Sequence, residues 1–416
     1  MFKNVSLIAG KWLGSDQKYQ NEPVSGLADS FAIGTVEMVN LACEAAEEAF
    51  WSYGYSTADE RARFLEEVAN QIDARGTEIT KTGMKETGLP QARLEGERGR
   101  TIAQLRMFAQ HIKTGKHLDY LNDKALPERA PIPRPDLHLI QRPIGPIAIF
   151  GASNFPLAFS SAGGDTAAAL AAGCPVVVKA HPAHPGIADL IAQAFNAAIK
   201  ATGVHPGVFS QVNDGGHIVG ETLVKHPLIR AVGFTGSLQA GRALFDIAAA
   251  RPEPIPFFGE LGSTNPMFIM PKAIAMRGDE IATGWAGSIT MGAGQFCTNP
   301  GVAIILDGPL AVQFAQNTAT ILNDTAPQTM LTHGIAEAFQ RGCHHIASKS
   351  GVKAVLTSEN RNRTAVPQLF TTTAANWLAQ DALQKEVFGP MAILIVAKNM
   401  NEMREIAHSL EGQLTC

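Results

Sequence analysis

The strongest constraint on how this chain folds lies between Ile144 and Ala250. Four apolar runs, "IGPIAIF", "CPVVVK", "GVFSQV" and "IRAVGF", each give way to glycine or polar residues. Helical patterning is predicted over Gly164–Ala172, Ile187–Thr202 and Leu238–Ala250. A strand that is apolar at successive positions is covered on both faces, and its alternation with helices marks a parallel, doubly wound α/β sheet. Such sheets bind ligands at the carboxyl ends of their strands. The residues that close each run are therefore the first candidates for function.

The flanking segments read differently. Val36 to Phe50 and Thr57 to Ala74 have helical spacing. In the second, Thr57 is placed to cap and Glu60 stands three residues on, with Phe64, Leu65, Val68 and Ile72 on one apolar face. Arg98 to Gln110 is predicted as a third helix. The prolines of residues 127–143 force extended backbone, and "DLHLIQR" alternates like a strand, which points to an arm or hairpin over about 127–145. After Pro254 the pattern restarts with "IPFFGELG". This divides the chain into a first domain, 1–255, that carries the arm, and a second, 256–416.

Composition narrows the class. The chain has 416 residues and a net charge of -4, with no basic stripe of the kind that binds nucleic acid. No apolar run approaches the roughly 20 residues of a membrane span, and the opening lacks the core of a signal peptide. The five cysteines, Cys43, Cys174, Cys297, Cys343 and Cys416, are scattered and form neither a disulfide framework nor a metal pair. A soluble cytoplasmic protein that binds no metal is expected.

Four loops carry chemically suggestive residues: Asn154, Lys179, Glu260 and Cys297. Each has an ordinary reading by itself, as a turn former, a surface lysine, a solvated acid and an inert thiol. Together they supply a nucleophile, an oxyanion donor and a base, which is the equipment of acyl chemistry.

The stretches "FGASNFP", "CPVVVKAHPAHPG", "GFTGS" with Gly241, "FGELGSTNP", "GQFCTNPG" and "KEVFGP" resemble, in that order, the motifs of the aldehyde dehydrogenase superfamily. The resemblance covers nearly all of the chain from about Leu7. "TGLPQARLEGERGRTIAQLRMFA" and "RPEPIPFFGELGSTNP" resemble most the branch containing alpha-ketoglutaric semialdehyde (2,5-dioxopentanoate) dehydrogenases.

The resemblance implies a Rossmann-like NAD(P)-binding domain, an α/β catalytic domain and a small oligomerisation arm. It implies that Cys297 adds to the aldehyde, that the Asn154 amide and the Cys297 backbone N–H hold the oxyanion, and that Glu260 activates water against the thioester. Lys179 is expected on the adenosine ribose, Gly236 and Ser237 at the pyrophosphate, Gly241 in the packing of that helix, and Glu386 and Phe388 at the nicotinamide ribose.

Cofactor and substrate follow less directly. Pro182 stands where NAD-preferring relatives often carry a glutamate, so NADP is expected, with NAD also used, and His181 and His217 are the candidates to meet its phosphate. Among Arg93, Arg98, Arg100 and Arg106, one arginine is expected to hold a substrate carboxylate, with Arg98 the nominee. A fatty or other aldehyde is the alternative substrate, and thioester hydrolysis without redox chemistry is an alternative reaction. The chain ends at Cys416, soon after "KEVFGP", where the family usually continues. A C-terminally truncated catalytic domain is therefore expected, with a homo-oligomer, dimer or tetramer, formed by a full-length chain. An inactive chain that only associates with full-length subunits is the further alternative.

Overall fold

The computed structural model describes residues 2–359 and 362–416. They form two compact units, Met1–Leu261 and Gly262–Cys416.

The first unit is built on a seven-stranded sheet. Its strands run in the order Phe257–Glu260, Ala231–Thr235, Ile147–Phe150, Val176–Lys179, Phe209–Val212, Ser6–Ile8 and Lys11–Leu13. The first five are parallel, and the last two add antiparallel at the edge. The four apolar runs are all strands of this sheet. Side chains alternate between its faces, as a period of two requires. Ile147, Ile149, Val176 and Val178 join a core with Phe64, Leu65, Val68 and Ile72 from the Ala58–Ala74 helix. Ala148, Phe150, Val177 and Val232 join the opposite core with Val39, Ala42 and Leu223. Strand order reverses between Ile147–Phe150 and Ala231–Thr235, the switch point at which such sheets open a crevice.

Local signals account for much of this frame. Thr57 and Glu60 form a reciprocal capping box at the start of Ala58–Ala74. Pro185 opens Pro185–Thr202, where its missing N–H is not needed. The third helix is longer than expected and spans Gln91–Lys113. Gly76–Thr87 is a helix that the sequence reading left out, since its glycines and threonines are poor helix formers. Packing overrides them: a Cβ at Gly83 would press on Leu94. The arm is a hairpin, Leu121–Asp123 against Leu137–Leu139.

One expectation is corrected here. Phe257–Glu260 does not start a new strand set but pairs in parallel with Ala231–Thr235 in the first sheet. The division consequently falls after Leu261, not at 255/256. The prolines of "RPEPIP" mark a loop inside the unit.

The second unit carries a five-stranded sheet ordered Met267–Ile269, Val302–Leu306, Met391–Ala397, Gln368–Thr373 and Lys353–Leu356. All pairs but the last are parallel. One face packs Ile304, Phe370 and Ile395 on Phe339, Trp377 and Ile406, and the other packs Ile305 and Leu394 on Trp285 and Phe314. Among the described residues, no helix is long and apolar enough to cross a membrane.

Candidate active site

The parallel strands of the first unit end together. Phe150 is in register with Lys179, Lys179 with Val212, and Thr235 with Glu260. The loops that follow therefore gather Asn154, Lys179, Gly236, Ser237 and Glu260 at one sheet edge, beside the switch point. Asn154 is buried on the turn after Phe150. Lys179 is half-buried, and burial lowers its pKa, partly offset by Asp214. Asp214 follows the next strand, and its Oδ2 is buried without a hydrogen-bond partner, as is Glu260 Oε1. Asp165 stands below this edge, its carboxyl pushed up by burial and by the nearby Glu260 charge.

Ser237 caps the Leu238–Ala249 helix by accepting from the Ala240 N–H at 3.3 Å and is itself exposed. A Cβ at Gly241 would displace the Leu261 side chain, so glycine lets this helix lie close to the strand end without that shift.

His181 and His217 part company. Nδ1 of His181 accepts from the Ala183 N–H at 3.1 Å, and its ring stacks on His184. Burial, His184 and Lys179 together push its pKa well below the ordinary value, so its ring is neutral and holds a turn. His217 is exposed at the start of the Ile218–Lys225 helix.

The arginines are also sorted. Arg98 donates to Thr80 Oγ1 at 3.0 Å and packs on Gly76, which ties the Gln91–Lys113 helix to its neighbour. Arg106 donates to Asn70. Arg93 and Arg100, two turns apart, lie instead over the rings of Phe155 and Phe159, at 4.5 and 4.8 Å. The nominee Arg98 is thus turned toward a structural contact, and the two arginines beside the Asn154 segment are its neighbours along the helix. Their place in one helical stretch did not say which of them face Phe155 and Phe159.

In the second unit the reactive loops lie at the amino ends of the strands. Cys297 is half-buried and precedes Val302–Leu306. Gly292, Ala293 and Gly294 all have left-handed backbone, with φ of 56, 57 and 66°. A Cβ at Gly294 would run into the backbone of Gly389. Asn265 Nδ2 donates to the carbonyls of Cys297 and Asn299, at 2.7 and 2.9 Å. Asn299 Nδ2 in turn donates to the carbonyls of Gly294 and Gly389. Gln413 Oε1 accepts from the amides of Thr264 and Asn265, both at 2.9 Å. Amide side chains thus lock the cysteine loop to the segments before Met267 and Met391. Asn265 and Asn299 lie within the motifs "FGELGSTNP" and "GQFCTNPG" and Gln413 lies outside them, and nothing in the sequence pattern gave any of the three a task.

Glu386 belongs to the same edge. Gly262 makes room for it, since a Cβ there would sit 2.7 Å from Glu386 Oε2. Burial pushes its carboxyl up to about 7 against the opposing bond from the Ser263 amide. A cavity beside it is lined by Ser263, Asn299, Gly301, Phe388 and Met391 among others.

A sequence model of the aldehyde dehydrogenase family matches residues 21–416. The chain belongs to this family. It is 46% identical over 398 residues to alpha-ketoglutaric semialdehyde dehydrogenase 2 of Azospirillum brasilense, a match covering 95% of this chain and 75% of that one. It is 44% identical over 388 residues to alpha-ketoglutaric semialdehyde dehydrogenase of Acinetobacter baylyi, covering 92% and 73%. Among solved structures, an NAD-dependent benzaldehyde dehydrogenase of Corynebacterium glutamicum superposes with a TM-score of 0.82 at 21% identity, over 99% of this chain and 88% of that one. A complex of aldehyde dehydrogenase C of Pseudomonas syringae with NAD+ and octanal gives 0.81 at 22%, over 97% and 81%. These last two share the fold.

The protein is therefore an NAD(P)-dependent aldehyde dehydrogenase. The residues of this dehydrogenase fit a dinucleotide. The first sheet's edge offers a cation, Lys179, an orphaned carboxylate oxygen on Asp214, and an exposed helix start at Gly236–Ser237 whose N–H groups favour phosphate. The fingerprint is not the usual GxGxxG.

Proposed function

We propose that this dehydrogenase oxidises 2,5-dioxopentanoate (alpha-ketoglutaric semialdehyde) to 2-oxoglutarate through a thioester on Cys297. The observation that carries the substrate is the 46% identity to a relative named for that aldehyde. Its keto-acid end also suits a chain with two arginines on the rings of Phe155 and Phe159. Arg93 already faces Glu97, with Nε 3.8 Å from Oε2, which leaves Arg100 as the group to meet a carboxylate.

In the mechanism, the Cys297 thiolate adds to the aldehyde carbon and the carbonyl pair moves onto oxygen. The Asn154 amide and the Cys297 backbone N–H hold that oxyanion. Bound NAD(P)+ supplies the acceptor for the hydride that the adduct must lose. Glu260 takes a proton from the water that attacks the resulting thioester, the carbon–sulfur bond breaks, and the thiolate is restored. Lys179 holds the adenosine ribose, Gly236 and Ser237 the pyrophosphate, and Glu386 with Phe388 the nicotinamide ribose. Residues 1–261 thus take the adenosine and pyrophosphate, and residues 262–416 supply the thiol and the groups for the nicotinamide ribose.

NADP+ is preferred and NAD+ also used. Pro182 presents no carboxylate to a 2′-phosphate, and His217, exposed while His181 is neutral and holds a turn, is the histidine proposed to meet it. The apolar hairpin serves as the contact between subunits of a homo-oligomer.

The test is a rate comparison of 2,5-dioxopentanoate with hexanal, each with NADP+ and NAD+, in the wild type and Arg100→Leu. The proposal expects the keto acid to be the better substrate, and Arg100→Leu to raise its KM without changing that of hexanal. A large preference for hexanal overturns the substrate, and a preference for NAD+ overturns the cofactor.

A further inference from the structure

The turn that carries Asn154 is held from outside by one helix. Residues 154–163 form turns and bends, so their amides lack helical partners and need acceptors. Glu97, in the Gln91–Lys113 helix, supplies one. Its carboxylate is buried, and Oε1 accepts from the N–H groups of Leu157 at 2.8 Å and Ala158 at 2.9 Å. Charge-assisted bonds of this kind are the strong ones. One helical turn earlier, Arg93 spans from Glu97 to the turn. Its Nη2 donates to the Asn154 carbonyl at 3.5 Å, and its guanidinium covers the Phe155 ring. Phe155 itself packs edge-to-face on Phe159 at 5.1 Å. Asn154 and the amides three and four residues after it are thus tied to the same stretch of helix.

The chemistry assigned above gives Glu97 no part, and a carboxylate is a costly group to bury for packing alone. Where an amide must meet a developing oxyanion, placement within about 0.5 Å is what counts. We infer that Glu97 is a positioning residue for the reaction: it sets the backbone of the 154–158 turn and, through it, the direction of the Asn154 amide. Arg93 closes the brace from the other side. This rests on the reading of Asn154 as the oxyanion donor.

The two ideas separate in a double-mutant cycle on kcat, with KM for NADP+ and the melting temperature followed in parallel. Displacing a catalytic group by about 1 Å can cost on the order of 100-fold in rate. Glu97→Ala is expected to lower kcat about 10- to 100-fold with KM for NADP+ unchanged. Glu97→Gln, which keeps a side-chain oxygen for both amides, recovers most of the rate. On an Asn154→Ala background, Glu97→Ala costs little more, because the group it positions is gone. Glu97→Asp keeps the charge but withdraws the oxygen, and it gives the same pattern should the alanine variant fail to fold. Losses that multiply in the cycle, or a Glu97→Gln enzyme no better than Glu97→Ala, overturn the positioning role while leaving Asn154 catalytic. A full rate in Asn154→Ala removes the oxyanion reading and the inference with it.

Discussion

At Glu386 two effects oppose each other. Burial disfavours the carboxylate, the Ser263 amide favours it, and burial wins, so the group titrates at about 7. Because that value lies above the unfolded one of 4.5, the folded protein keeps a proton that the unfolded chain has already lost. The stability this supplies is complete below pH 4.5 and disappears as pH rises through 7. Binding should run the other way, since the ionised carboxylate is the stronger acceptor for ribose hydroxyls. KM for NADP+ is expected to fall between pH 6 and pH 8 in the wild type and to stay flat in Glu386→Gln, which should also melt higher than wild type at pH 8. A KM that falls equally in both would remove Glu386 from the cofactor site. The sequence placed Lys179 and Glu260 at the ends of strands, and Asn154 on the turn four residues after one, which is where the structure has them. Arg93 and Arg100 were not separable from Arg98, because spacing alone does not say which side of a helix meets its neighbour.

Among the elements, the cysteine loop shows what the sequence conceals. Its glycines suggest freedom, yet Gly294 is fixed against Gly389, and Asn265 and Asn299 bind four carbonyls between them. Three of these four bonds join residues 32 to 90 apart in the chain and leave no local periodicity. Removing Asn265 strands two carbonyls that it now satisfies, at about 1–3 kcal/mol for such a loss. Asn265→Ala is therefore expected to lower the urea midpoint and to slow alkylation of Cys297. Unchanged values for both would mean that the loop holds itself. The Gly76–Thr87 helix escaped notice for a related reason: its stability comes from burial against Leu94 and Ile187, not from its own residues.

On the scale of the whole molecule, the two sheets present opposite ends. The first gathers its candidate residues at the carboxyl ends of its strands, as the alternation of strand and helix implied. The second gathers Cys297 and Glu386 at the amino ends, which no rule for parallel sheets anticipates. The first fold was readable because four of its strands are buried and alternate with helices. The boundary was misplaced because the proline-rich stretch before Phe257 looks like a linker and is a loop.

The hairpin leaves Leu121, Leu137 and Leu139 exposed, and Leu121 lies opposite Leu139. Replacing both Leu137 and Leu139 with glutamate is expected to shift the protein to a smaller species in light scattering. An unchanged mass would take the hairpin out of the subunit contact.

The central claim is that Cys297 carries the acyl group. Acid quenching of the enzyme during turnover of 2,5-dioxopentanoate, followed by peptide mass analysis, tests it directly. The account predicts an acyl adduct on the peptide containing Cys297, more of it in Glu260→Gln, and neither adduct nor turnover in Cys297→Ala. A Cys297→Ala enzyme that turns over at the full rate would contradict it.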